Sequence, residues 1–158
     1  MLKDFLDKYG RDTTTNFYLR DILKDLNLKR SIIMRNKIDE CKTRQSPYKD
    51  KNNLIINLQT SNEKGSHWIL ASKKFKIYFD NYSVVPIKEI YENYFIDASW
   101  VYNTIQVQKI DTKICGQLYC FVLKELTEDK RFEDIVIDLH KTLVLNLFLK
   151  KEYNSYTF

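Results

Sequence analysis

His67-Trp68-Ile69-Leu70-Ala71-Ser72 and Phe75-Lys76-Ile77-Tyr78-Phe79-Asp80, joined by Lys73-Lys74, form the stretch on which the fold turns. Both runs are short and rich in β-branched and aromatic residues, so they read as two strands of a hairpin. A turn centred on the two lysines pairs Trp68 with Phe79, Leu70 with Ile77 and His67 with Asp80. Lys-Lys lacks the Gly or Asn that accepts positive φ in a two-residue turn, which favours a four-residue loop through Ser72 and Phe75 with the same centre. In that register a histidine and a carboxylate share one end of the hairpin.

Upstream, Thr13, Thr14 and Thr15 offer N-caps for a helix carrying Leu19, Ile22, Leu23 and Leu26 at helical spacing, with its exit near Asn27. Residues 36–53 are polar and broken by Ser46-Pro47, the mark of a surface loop, and Leu54 to Leu58 is an apolar strand. Downstream, Ile87 to Tyr94 after Pro86 has Ile87, Ile90, Tyr91 and Tyr94 on one helical face, and Asn103 to Val107 reads as a strand. From Cys115-Gly116 the run Leu118 to Leu126 is apolar nearly all round, as a buried helix is. A last helix places Phe132, Ile135, Val136, Leu139, Leu143 and Leu147 on one stripe, with Glu133 and Asp134 in its first turn.

The chain of 158 residues has the length of one domain, here taken as residues 1–158, and no repeat or linker divides it. Charged residues at 30% argue against a membrane protein. The net charge of +5 is spread among interleaved acids, which is a solvated surface more than a nucleic-acid patch. Cys41, Cys115 and Cys120 are odd in number and lack CxxC spacing or a histidine pair, so neither a disulfide framework nor a zinc site is expected. The start, Met1 to Lys8, has no uninterrupted apolar run, so a secretory signal is not expected.

The remaining chemistry lies in a few side chains. A cysteine becomes nucleophilic where its thiolate is favoured, and Cys115 stands at a helix start, where unpaired N–H groups supply positive potential. Gly116 leaves room there for a substrate backbone. Taken alone, Cys-Gly is also what a small buried structural residue looks like. His67, opposite Asp80, fits a base whose Nδ1–H is held by the carboxylate while Nε2 serves the thiol. His140, beside Val136 and Leu143, reads instead as a packed or edge histidine. An acyl-transfer site also needs an oxyanion donor. Gln106 and Gln108 both qualify, and strand alternation puts them on the same face without choosing between them.

The ordered set Gly65-Ser66-His67-Trp68, Tyr78-Phe79-Asp80, Gln108, Cys115-Gly116 resembles the adenain-type cysteine proteases: the adenoviral maturation protease and its relatives in virophages and Maverick/Polinton elements, which share a fold with SUMO-specific proteases. Thr15-Asn16-Phe17, Ile33-Met34-Arg35-Asn36 and Leu54 to Leu58 extend the resemblance over much of the chain. It implies an α+β, papain-like fold with a central, mostly antiparallel sheet flanked by helices and the nucleophile at the N-terminus of a buried helix. It also implies catalytic roles: Cys115 as nucleophile, His67 as general base, Asp80 as its orienting partner and Gln108 as oxyanion donor. The seven-position separation from Gln108 to Cys115 matches the family, and Gln106 does not. Trp68 and Gly116 become neighbours of the substrate. Asn81 stands where the family commonly has Ser, and Cys120 follows Cys115 by five positions where relatives often have four.

The activity so implied is a cysteine endopeptidase that matures capsid precursor proteins of a virus or virus-like element, inside the virion and the host cell, with no metal or organic cofactor required. Some family members are activated by a peptide or by DNA, so those are the implied partners besides the substrate; no membrane is. Two other readings stand beside it. One is a protease that removes a ubiquitin-like modifier. The other is a non-catalytic DNA- or capsid-binding protein that keeps the protease fold.

Overall fold

The computed structural model describes residues 2–10, 15–42, 48, 51–58, 67–96, 99–109 and 114–145. Its centre is a five-stranded open sheet in the order β1 (Ser31–Met34), β2 (Asn53–Asn57), β3 (Trp68–Ser72), β4 (Ile77–Phe79) and β5 (Val101–Tyr102). The two inner joins, β2–β3 and β3–β4, are antiparallel, and the two outer ones, β1–β2 and β4–β5, are parallel. The sheet is therefore mixed where a mostly antiparallel one was expected. The reason is topological: a parallel neighbour needs a crossover, and each edge strand is reached by one. The 3₁₀ helix Arg35–Lys42 lies on the first crossover and α3 (Lys88–Asn93) on the second.

Alternation along each strand sorts the apolar residues onto two faces. Ile55, Trp68, Leu70, Ile77 and Phe79 enter the larger core with residues of α1 (Leu2–Tyr9), α2 (Asn16–Asp25), α4 (Cys115–Thr127) and α5 (Phe132–Leu139). Ile33, Leu54, Ile56, Ile69, Ala71 and Tyr78 enter the smaller one with Ile38 and Cys41 of the 3₁₀ helix and Ile90, Tyr94 and Phe95 in and after α3. With both faces covered, β2, β3 and β4 are buried along their whole length. Arg35 donates from Nε and an NH2 group to the two oxygens of Glu89 at 3.0 and 3.2 Å, which ties the 3₁₀ helix to α3.

Helix α4 starts at Cys115 as expected and is the central helix of the larger core, buried from Gly116 to Leu123 and again at Glu125 and Leu126. Helix α2 is capped by Thr15, whose side chain accepts the N–H of Tyr18 at 3.2 Å, and its chain leaves through Asn27 at φ 52°. The last helix keeps its stripe but changes pitch: after Leu139 the backbone continues as a π-helical turn, His140–Val144. Among the described residues no helix is long and apolar enough to cross a membrane.

Three expectations are corrected. The hairpin pairs Leu70 with Phe79, Ala71 with Tyr78 and Ser72 with Ile77, a register displaced by two residues. The turn occupies Lys73 to Lys76, with Lys76 at φ 56° and Ser72 Oγ accepting the N–H of Phe75 at 3.1 Å. The strand over Asn103 to Val107 is absent; Val107 and Gln108 instead give their N–H groups to the carbonyl of Asn81, and the Asn103 side chain takes up the carbonyl of Ile105. The loop over residues 36–53 is a helix in its first part, where Ile38 and Cys41 are buried. Thr13, Thr14, Ser46-Pro47, Gly65-Ser66 and Leu147 lie outside the described residues.

Candidate active site

His67 directly precedes β3, and Asp80 directly follows β4. The two-residue displacement of the hairpin moves Asp80 from opposite His67 to a diagonal position, but a shift of two preserves the face on which each side chain emerges. The pair therefore still meets. His67 Nε2 lies 3.2 and 3.1 Å from Asp80 Oδ1 and Oδ2. The expected ring orientation is reversed: Nε2 is the nitrogen committed to the carboxylate, and Nδ1 is the one left for a reacting group.

Asp80 is held from several sides. Its Oδ1 accepts the N–H of Tyr82 at 2.8 Å. Its backbone N–H donates to Asn103 Oδ1 at 3.0 Å, and its carbonyl accepts Asn103 Nδ2 at 2.6 Å. Burial of the carboxylate to 1% exposure, against 22% for the His67 side chain, leaves the imidazole as the part of the pair that solvent and substrate reach. Tyr82 lies over the imidazole, ring centroids 5.0 Å apart. The Trp68 ring is part of the larger core.

Cys115 is the first residue of α4, whose opening N–H groups have no partners within the helix. The N–H groups of Gly116 and Cys115 face the thiol, and so does that of Trp68, the residue bonded to His67. Burial nevertheless outweighs them and, with a smaller push from the Asp80 charge, raises the thiol above its ordinary pKa. The resting cysteine is thus a thiol at neutral pH, which calls for a base at the moment of attack. Cys120, five residues onward in the core, is fully buried and pushed up to about 12.

The two glutamines part company once no strand constrains them. Gln106 folds back, its Nε2 donating to the Gln108 carbonyl at 2.5 Å. Gln108 is buried to 1% exposure; its Oε1 accepts Asn81 Nδ2 at 2.5 Å and its Nε2 faces the Tyr82 hydroxyl at 3.4 Å. Its amide hydrogens are thereby turned toward the ring that covers His67. His140 lies half-buried with Nδ1 2.6 Å from the Gln106 carbonyl, a structural tether from the end of α5 to this segment.

His67, Asp80, Gln108 and Cys115 thus border one locality, bridged by Tyr82 and the backbone of Trp68. Asn81, Tyr82 and Asn103 build it as well; the resemblance marks Asn81, where the family commonly has Ser, and nothing in the sequence singles out Tyr82 or Asn103 beyond their closeness to Asp80 and Gln108. An imidazole held by a carboxylate can act as a proton acceptor, and N–H groups at a helix start can serve a developing negative charge. Among the described residues no group of three or more His, Cys, Asp or Glu side chains is arranged to hold a metal ion. A scan against protein-family models finds no match, and comparison with curated proteins finds no significant relative.

Proposed function

We propose that the protein is a cysteine endopeptidase of the adenain type, with its papain-like arrangement of a thiol at a helix start against a hairpin-borne histidine. The observation that carries this reading is the bond from His67 to the buried Asp80 at the end of the hairpin that also turns the Trp68 N–H toward the Cys115 thiol. In the neutral imidazole, Nε2–H donates to Asp80 and Nδ1 keeps its lone pair. Nδ1 then takes the proton of Cys115 Sγ as sulfur bonds to the substrate carbonyl carbon. The oxyanion that forms is met by the Cys115 N–H and by Gln108 Nε2–H. Collapse breaks the C–N bond, and His67 passes its proton to the departing amine. Water, deprotonated by the same nitrogen, releases the acid from the thioester.

The substrates in this reading are capsid precursor proteins of a virus or virus-like element, cut within the virion or the infected cell. Purified protein incubated with the structural proteins encoded by its own genome and, separately, with reporters fused to ubiquitin-like modifiers should cleave the former. Cleavage confined to the modifier reporters would replace this reading by deconjugation. A Cys115 inert to substrates and to alkylation alike would leave a binding protein with a protease architecture.

A further inference from the structure

We infer that Tyr82 is a positioning residue that fixes the plane of the His67 imidazole, and with it the direction of Nδ1, an inference that rests on the cysteine-protease reading. The backbone of His67 is already held, its carbonyl accepting the N–H of Leu58 at 2.8 Å. Its ring, however, is bonded to Asp80 through a single atom, Nε2. An imidazole attached at Cβ and held at one nitrogen can still swing about the line joining those points, because its outer torsion is broad, and each swing carries Nδ1 with it. A ring laid on its face removes that motion. The Tyr82 ring lies over the imidazole with centroids 5.0 Å apart and planes inclined by 30°, inside the range of attractive ring contact.

The way Tyr82 is brought there points to the base as its purpose. Asp80 Oδ1 lies 3.2 Å from His67 Nε2 and also accepts the Tyr82 N–H at 2.8 Å. The Asp80 carbonyl accepts the next N–H, that of Ser83, at 3.0 Å. Asp80 therefore holds the imidazole twice: by its carboxylate, and by the turn that returns the Tyr82 ring over it. The chain leaves that turn through Ser83 at φ 55°, a left-handed conformation that costs a non-glycine residue energy and that gathers where backbone geometry serves a site. Burial, and then the charges of Cys115 and Asp80, raise the Tyr82 hydroxyl above its ordinary pKa. The ring thus lies close enough to both groups to feel them, and it stays neutral beside the base at neutral pH.

The test uses the full chain and two probes. Acylation by p-nitrophenyl acetate at neutral pH needs His67 to take the thiol proton, whereas iodoacetamide well above pH 9.0 meets a thiol that ionises without it. Tyr82→Ala, which keeps the backbone N–H to Asp80, should lower acylation about tenfold or more, a share of what a general base contributes. Its alkaline alkylation of Cys115 should stay within about twofold of wild type, since that step needs no base. Tyr82→Phe, which keeps the ring, should acylate within about threefold of wild type. In a His67→Ala background Tyr82→Ala should lower acylation no further, because residue 82 acts through the imidazole. Unchanged acylation in Tyr82→Ala overturns the inference, as does an equal loss in Tyr82→Phe, a parallel fall in alkaline alkylation, or a full effect without His67. Should Tyr82→Ala unfold the chain by circular dichroism, Tyr82→Val, which keeps apolar bulk without a ring, carries the same expectations. A wild type that is never acylated overturns the protease reading itself; an acylated wild type indifferent to residue 82 overturns this inference alone.

Discussion

Cys115 and Cys120 stand five positions apart on one helix, yet the fold makes them different chemical groups. Cys120 is fully buried among Leu118, Val122 and the other residues of the larger core, and burial, against the Arg30 charge and a backbone hydrogen bond, pushes its pKa up to about 12. Cys115 is only half-buried, and three N–H groups pull against the desolvation that raises it. The same side chain is a core filler in one place and an accessible sulfur in the other. What separates them is the end of the helix and the hairpin laid against it, neither of which is a property of cysteine.

The largest expected effect tests that separation outright. Cys115→Ala should lower acyl transfer by on the order of 10⁴-fold or more. Cys120→Ala should leave activity per folded molecule unchanged, and cost about 1–3 kcal/mol in urea unfolding because it opens space in a packed core. Equal loss of activity from both would erase the distinction. His67→Ala comes next, with a fall of roughly 10²–10⁴-fold in acyl transfer, measured with p-nitrophenyl acetate. Gln108→Ala should cost roughly 10²–10³-fold there while sparing alkylation of Cys115, and Gln106→Ala should change acyl transfer by less than about fivefold.

The smallest effects lie in pH. Because the Cys115 thiol sits above its ordinary pKa, its alkylation rate should climb continuously with pH from neutrality past 9.0; a plateau near neutrality would mean a preformed thiolate. Cys41 and Cys120, pushed by burial to about 11 and about 12 from 9.0, ionise later in the folded chain than in the unfolded one. Their contribution to stability is full below pH 9.0 and declines as pH rises through the folded values, by about 1.4 kcal/mol per pH unit for each thiol. Chemical unfolding at a series of alkaline pH values measures it.

Much of this was legible in the sequence because it depends on pattern. The alternation in the hairpin, the apolar run after Cys115 and the stripe from Phe132 each specify an element and its buried face. The hairpin register was not legible, since a lysine at φ 56° carries no sequence mark of the kind glycine does. The diagonal contact of His67 and Asp80 survived because slippage by two keeps parity. Strand β1 and the 3₁₀ helix leave little mark in the sequence because a four-residue parallel edge and a polar helix hiding Ile38 and Cys41 show too little periodicity. The segment from Asn103 to Gln108 has strand-like composition, but side-chain amides and the Asn81 carbonyl take the hydrogen bonds that a sheet partner would need. For the same reason the roles of Asn81 and Asn103 were invisible: asparagine near a turn announces the turn and not the network it closes.

The central claim is that one of three cysteines is an acyl acceptor served by His67. Acid quenching after brief exposure to p-nitrophenyl acetate, followed by mass-spectrometric peptide mapping, tests it most directly. The expected product is an acetyl thioester on Cys115 that is nearly lost in His67→Ala. Acetyl groups confined to lysines, or thioester on Cys41 or Cys120 with Cys115 untouched, would contradict it.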